Sequence, residues 1–76
     1  MAKLTREDVE QIIKAARENS KSPDLRRHDL SNVALFGANL SQVDLNGANL
    51  RQANLSQADL SQANLRNAVL IEAHLS

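Results

Sequence analysis

Cysteine is absent from the 76 residues, which excludes disulfides, thiolate zinc sites and thiol catalysis. Phe36 is the single Phe, Tyr or Trp residue, so the chain has neither a base-stacking platform nor an aromatic cage. Nine basic residues balance nine acidic ones, and this zero net charge gives no overall field to attract nucleic acid or an anionic membrane. No apolar run has the length of a membrane-spanning helix, and no signal-peptide core is present at the start. We therefore expect a cytoplasmic protein without a nucleic-acid or membrane partner.

Proline occurs once, at Pro23, and it divides the chain into two segments. Residues 1–22 are predicted to form one helix and a linker, with Thr5 as the N-cap and Asp8 completing a capping box. Because a helix of about four turns is marginal alone, its apolar stripe is expected to pack on the second segment. The predicted stripe consists of Val9, Ile12, Ile13 and Ala16.

What the second segment does contain is leucine at every fifth residue, from Leu25 to Leu75. On an α-helix five residues advance about 500°, so these leucines would form no common stripe. On a flat strand an odd spacing would send alternate leucines to opposite faces. A chain that turns a corner once in every five residues would instead keep every leucine inside.

The residues around each leucine are as regular as the leucine itself. The residue two positions before it is Ala or Val in nine of eleven units, and the residue just before it is Asp or Asn in eight. Asp and Asn accept hydrogen bonds from neighbouring backbone N–H groups and thereby favour tight turns. Gly37 and Gly47 allow the positive φ that some turns require.

The resulting pattern, A-(D/N)-L-x-x, covers residues 23–76 and resembles the pentapeptide-repeat family. The resemblance implies an all-β solenoid, a right-handed quadrilateral β-helix in which each pentapeptide forms one side. Eleven units would make about two and three-quarter coils, preceded by an N-terminal α-helical cap. The expected division is therefore residues 1–22 as capping helix and linker and residues 23–76 as the β-helix. His28 occupies a small inward position, so we expect a distortion in the first coil.

Two surfaces are predicted from departures in this pattern. Phe36 is expected to pack beneath the helix stripe. No capping segment follows Leu75, so the last coil would have an open edge, and such edges pair with other strands. Two interpretations stay open: this edge is buried against another copy, or the sequence is a segment of a longer solenoid. The predicted partner contact consists of Val69, Leu70, Ile71 and Leu75.

The sequence offers little for catalysis or metal binding. His28 and His74 are predicted to lie two coils apart on different sides, which argues against a shared metal site. Asp24 and Asp44 should stack one coil apart, but both are turn residues without an accompanying nucleophile. We therefore expect no catalytic residue, no cofactor and no bound metal.

The leading functional hypothesis is a non-enzymatic structural or protein-interaction module. Its partner would be a second copy, forming a homodimer through the C-terminal coil, or another protein. The alternative is a DNA-mimicking inhibitor or protector of a type II topoisomerase, as known for longer members of the resembled family. Stacked coils lie ~4.8 Å apart, giving a rod of only about 15 Å. That length and the zero net charge argue against DNA mimicry.

Overall fold

A computed structural model describes residues 2–76 of the chain. Its helix, α1, spans Arg6–Glu18 and begins with the predicted capping box. The Thr5 hydroxyl accepts a hydrogen bond from the Asp8 N–H at 3.2 Å, and the Asp8 carboxylate accepts one from the Thr5 N–H at 3.0 Å. These two bonds satisfy N–H groups that the first helical turn would otherwise leave without partners.

The helix ends in a Schellman motif centred on Ser20, whose φ is +56°. The Lys21 N–H donates to the Ala16 carbonyl at 2.9 Å, and the Ser20 N–H donates to the Arg17 carbonyl at 3.1 Å. This motif is usually built on glycine, because a side chain is strained at positive φ. It reverses the chain and delivers it to Pro23, where the coils begin.

From Pro23 onward the chain winds in coils of twenty residues. Among residues 2–76 no continuous strand forms; isolated parallel bridges join residues twenty apart, such as Asp24 with Asp44 and Asn54 with His74. Twenty residues make four sides of five. We name them side A (residues 23–27, 43–47 and 63–67), side B (28–32, 48–52 and 68–72), side C (33–37, 53–57 and 73–76) and side D (38–42 and 58–62).

Each corner is a tight turn that begins at a leucine. At one corner the Ala48 N–H donates to the Leu45 carbonyl at 3.0 Å, and Gly47 between them has a φ of +73°. A positive φ at this third residue is the property of a type II turn. Glycine is nevertheless the exception here, because eight other corners place a larger residue at φ values of 60–64°. Those residues are Arg27, Asn32, Gln42, Gln52, Gln57, Gln62, Asn67 and Glu72.

The predicted turn role of Asp and Asn is confirmed in every unit that carries one before its leucine. The side-chain oxygen accepts a hydrogen bond from the N–H two residues later, at 2.9–3.1 Å in all eight units. Ala34, Val69 and His74 occupy the same position without this oxygen.

The leucines and the residues two positions before them form one core, to which α1 contributes. Leu25, Leu30, Leu35, Leu40, Leu45, Leu50 and Leu55 are at most 1% exposed. The distortion expected at His28 is small. This side chain is half-buried, and the His28 N–H lies 3.5 Å from the Leu25 carbonyl, against 2.9–3.2 Å at the other corners.

Phe36 is not buried beneath the helix as expected. Its side chain is 50% exposed and does not belong to the core cluster, whereas Val9 and Ile13 are buried there. The physical reason is its place in the turn, because the residue directly after a leucine points away from the coil axis. The rest of the predicted stripe, Ile12 and Ala16, is half-buried.

Candidate functional site at the ends of the solenoid

The first coil presents a row of backbone carbonyls at its lower end, the end that faces α1. Between coils, the Leu25 N–H donates to the Asp44 carbonyl at 2.9 Å and the Arg27 N–H to the Asn46 carbonyl at 3.0 Å. The equivalent carbonyls of the first coil have no coil beneath them. They belong to the residues directly before and after each leucine: Asp24, Arg26, Asp29, Ser31, Ala34, Phe36, Asn39 and Ser41.

Two arginines of α1 take the place of a missing coil on sides C and D. Arg6 donates from Nη1 to the carbonyls of Ala34 and Phe36, both at 3.0 Å. Arg17 donates from Nη2 to the carbonyls of Asn39 and Ser41, at 3.3 and 3.0 Å. A guanidinium group carries several donors, so one arginine can satisfy both carbonyls of a side.

On side B the N-terminal segment itself continues the stack. Lys3 forms a parallel bridge with Asp29, and the Leu4 N–H donates to the Asp29 carbonyl at 2.9 Å. The Leu4 side chain is half-buried against the core, as a leucine of a further coil would be. The chain thus adds a short strand beneath side B before α1 begins.

These contacts were not predicted, although the sequence holds a signal for the arginines. Arg6 and Arg17 are eleven residues apart, close to three helical turns, so they lie on the same face as Ile13. Charged groups in line with an apolar stripe point to polar partners at the edge of the covered surface. No comparable signal distinguishes Leu4, because its position before the N-cap suits a hydrophobic staple equally well.

The upper end, formed by residues 58–76, has no such cover in the part of the chain that the structure describes. Leu60, Leu65 and Leu70 are half-buried, and Leu75 is 53% exposed. Their edge also carries N–H and C=O groups without a ladder partner among residues 2–76. The upper end is therefore both apolar and open to backbone pairing.

The predicted partner residues lie at this end. Val69, Leu70 and Ile71 follow one another on side B, and Leu75 is on the adjacent side C. Val69 is half-buried, while Ile71 is 58% exposed. They form one corner of the open end, and we call these four residues the upper apolar corner.

Acidic side chains on the walls are held by local hydrogen bonds. Arg26 lies 3.0 Å from the Asp24 carboxylate and 3.8 Å from that of Asp44, and its hydrogen bond lowers the pKa of Asp24. Hydrogen bonds from the Ser31 and Ser61 hydroxyls lower the pKa of Asp29 and Asp59 in the same way. Asp24 and Asp44 are neighbours as predicted, and both accept a turn N–H.

Metal-ligand geometry does not arise from these residues. No group of three His, Cys, Asp or Glu side chains converges among residues 2–76. His28 is on side B of the first coil and His74 is on side C of the third. In the same part of the chain, no helix has the length and hydropathy needed to cross a membrane.

A stack of four-sided coils with a leucine in each side defines a β-solenoid made of five-residue units. The sequence profile described as pentapeptide repeats matches residues 22–52 and 48–76, in eight copies, and the chain belongs to this family. The predicted resemblance is thereby confirmed, and repeats of this family are known to form right-handed quadrilateral β-helices. No curated protein matches the chain.

Proposed function

We propose that this protein is a non-enzymatic interaction module that associates with a second copy through its upper end. In this proposal α1 acts as the cap of a right-handed β-helix of about two and three-quarter coils. One observation supports it above the others. Leucines of the covered coils are at most 1% exposed, whereas Leu75 and Ile71 at the upper end are 53% and 58% exposed. Clustered exposed apolar residues are typical of contact surfaces.

A second copy fits this surface for reasons of geometry. The lower end is occupied by α1, so the upper end of one molecule cannot stack on the lower end of another without displacing the helix. Two upper ends can meet in a two-fold arrangement, which closes at two molecules. The upper edge carries both backbone donors and acceptors, as a self-complementary contact requires. Its charged residues, including Arg66 and Glu72, also have both signs.

The test is the molar mass in solution over a micromolar concentration series, by light scattering or sedimentation equilibrium. We expect the wild-type chain to pass from monomer to dimer. Ile71→Ser and Leu75→Ser should weaken the dimer, because each removes apolar surface from the contact. Phe36→Ser is the matched control, since Phe36 has the same turn position as Ile71 and similar exposure, and lies on the first coil.

Two results would contradict the proposal. One is a wild-type chain that stays monomeric while amides of residues 58–75 exchange slowly, because a folded and exposed upper end would then have no affinity for itself. The other is loss of the dimer in Phe36→Ser with no effect of Ile71→Ser, which would move the contact to the first coil.

A further inference from the structure

Each side of the upper edge presents the same backbone groups. In the covered coils, the leucine N–H and the carbonyl two residues before that leucine both point toward the next coil. On side A the Leu45 N–H donates to the Asn64 carbonyl at 2.8 Å, and the Val43 carbonyl accepts from the Asn64 N–H at 3.0 Å. In the last coil the equivalent groups have no partner among residues 2–76. They are the N–H groups of Leu60, Leu65, Leu70 and Leu75 and the carbonyls of Ala58, Ala63, Ala68 and Ala73.

These groups specify how a second upper edge can pair with the first. They flank the residue before each leucine, whose own N–H and C=O point to the coil beneath. On side B the Val69 N–H donates to the Ala48 carbonyl at 2.9 Å, and the Val69 carbonyl accepts from the Leu50 N–H at 2.8 Å. Such a residue has the non-hydrogen-bonded position of an antiparallel ladder. Two sides therefore exchange two hydrogen bonds when the residues before their leucines face each other, and each leucine then lies opposite an alanine of the other copy.

The residues that can face each other are Asp59, Asn64, Val69 and His74, one on each side. A two-fold axis reverses the chain direction, so a step forward along one copy is a step backward along the other. Asn64 facing Asn64 would bring His74 over Asn54 of the other copy, where that copy's own His74 already lies. Val69 facing Val69 pairs sides A, B and C and leaves side D uncovered. With Asn64 facing Val69, all four sides pair and Asp59 faces His74.

The side chains favour the register that pairs all four sides. Leu60 on side D gains a covering layer in this register, together with the other leucines of the last coil. Asp59 and His74 are both exposed, and facing residues have Cβ atoms about 4.5–5.5 Å apart, so the carboxylate can accept a hydrogen bond from the imidazole. Arg66 lies at the corner on the axis, where its exposed side chain has room to turn away from its own copy.

We propose that two copies join through their upper ends in this register, with Asn64 facing Val69 and Asp59 facing His74. The proposal rests on the self-association proposed above and adds the alignment of the two chains. The antiparallel ladder continues the stack across the contact. The dimer is then one longer solenoid with α1 at each outer end.

Single cysteines test the register, because the chain has none of its own. Asn64→Cys and Val69→Cys chains are mixed at a concentration where the wild-type chain is dimeric, and are then mildly oxidised. We expect a disulfide between the two chains, since facing residues of this kind have Cα atoms about 4.5 Å apart, within the span of a disulfide. A mixture of Asp59→Cys and His74→Cys should behave in the same way. Electrophoresis without reductant measures the covalent dimer.

Two controls accompany these mixtures. Val69→Cys alone should stay without cross-links, because the two copies of this residue lie on different sides of the joined coils. Asn54→Cys mixed with Val69→Cys should also give none, since Asn54 lies one coil beneath His74. The substitutions preserve the turns, because the corner after Leu70 closes at 2.9 Å although Val69 has no side-chain acceptor.

The facing of Asp59 and His74 gives a second readout, by sedimentation equilibrium. His74→Arg should tighten dimerisation roughly fivefold and His74→Asp should weaken it roughly fivefold, because a full charge of either sign then faces Asp59 in two symmetric contacts. Both changes should largely disappear in the Asp59→Asn background. That variant removes the charge and keeps the acceptor for the turn N–H, as Asn54 shows.

Failure of the register is distinct from failure of association. A dimer in which Val69→Cys cross-links to itself, or in which neither mixture cross-links, would overturn the register and leave self-association standing. Effects of His74→Arg and His74→Asp that persist unchanged in the Asp59→Asn background would overturn the register too. A wild-type chain that stays monomeric with a folded upper end would overturn both proposals.

Discussion

The lower and upper ends of this solenoid are built from the same five-residue unit and differ in what covers them. At the lower end, which α1 covers in part, Leu25 to Leu40 are at most 1% exposed. At the upper end Leu60, Leu65 and Leu70 are only half-buried. The five-residue unit therefore makes its leucine point inward, but that leucine is fully buried only where a further layer covers it.

The two ends also differ in how many backbone groups at their edges have hydrogen-bond partners. Five of eight lower-end carbonyls receive donors, from Leu4, Arg6 and Arg17. Leu4 belongs to a segment that continues the stack beneath side B, whereas Arg6 and Arg17 donate from the side chains of α1. The N-terminal segment thus supplies hydrogen-bond donors to most of the lower edge, on sides B, C and D.

The largest test of the comparison is the removal of one leucine from each end. Leu40→Ala should lower the free energy of unfolding by about 2–5 kcal/mol, because it leaves a cavity in a fully packed layer. Leu70→Ala should cost about 1 kcal/mol in the monomer, because that side chain is half-solvated already. Urea denaturation of both variants at low protein concentration measures the difference.

Raising the protein concentration sharpens the same experiment. If two upper ends associate, Leu70→Ala should become more costly as the dimer forms, while the cost of Leu40→Ala should stay constant. Equal costs for the two variants at the lowest concentration would show that the upper end is as well packed as the lower end.

The second test removes the arginine donors of the lower end. Arg6→Met and Arg17→Met keep the apolar stems but lose the guanidinium groups, and each should cost about 1–2 kcal/mol, because the hydrogen bonds are charge-assisted but partly exposed. Arg51→Met and Arg66→Met are the controls and should change stability by less than about 0.5 kcal/mol. Thermal denaturation is sufficient to measure both pairs.

Hydrogen exchange gives the second readout for these variants. The loss should be accompanied by faster exchange in α1, since each variant removes one of the two arginines that join the helix to the first coil. If the α1 amides keep their protection in both variants, the two arginines are not what fastens the helix to the first coil.

Much of the array was predictable because the residues within each five-residue unit determine the conformation of that unit. Leucine faces inward in every unit, and the Asp or Asn before it supplies an acceptor for the turn N–H, as Asp44 and Asn49 do. The capping box at Thr5 is equally local. What could not be predicted depends on surroundings, because Arg6 and Arg17 look like ordinary surface arginines until the carbonyls opposite them are known.

Phe36 shows the limit of reasoning from composition. Its size and apolar character favour a place at the helix interface, but its position after a leucine sends it outward. The candidate contact at the upper apolar corner is visible in the sequence because Val69 and Ile71 break the polar pattern. The carbonyls of Asp24 and Arg26 on side A, which receive no donor from residues 2–76, could not be predicted in this way, because their exposure depends on where α1 lies.

A third test uses pH and the matched carboxylates of the two ends. Asp29 in the first coil and Asp59 in the second both have a pKa below the usual 3.8, because a serine hydroxyl and a turn N–H donate to them. A lowered folded-state pKa gives stability that is complete above the unfolded value and is lost as the pH falls through the folded value. We therefore expect the melting temperature to hold down to about pH 4 and to fall below it.

Asparagine variants assign that acid sensitivity to one end. Asp29→Asn and Asp59→Asn retain the oxygen that accepts the turn N–H, as Asn39 and Asn54 show, but do not titrate. Asp29→Asn should reduce the acid-induced fall in melting temperature more than Asp59→Asn does. The reason is that the upper end can open locally before the molecule unfolds. A larger effect of Asp59→Asn would reverse the order of stability that we assign to the two ends.

The smallest test concerns positive φ in a single residue at each end. Ser20→Gly should stabilise the chain by about 0.5 kcal/mol, because glycine relieves the strain at +56° but loses more backbone entropy on folding. Glu72 has a φ of +60° in the last turn, where the coil is least covered. Glu72→Gly should not stabilise the chain, because it also removes the hydrogen bond that Gln52 donates to the Glu72 carboxylate. Thermal denaturation distinguishes the pair, and a gain from Glu72→Gly equal to that from Ser20→Gly would mean that the last turn is as firmly held as the helix end.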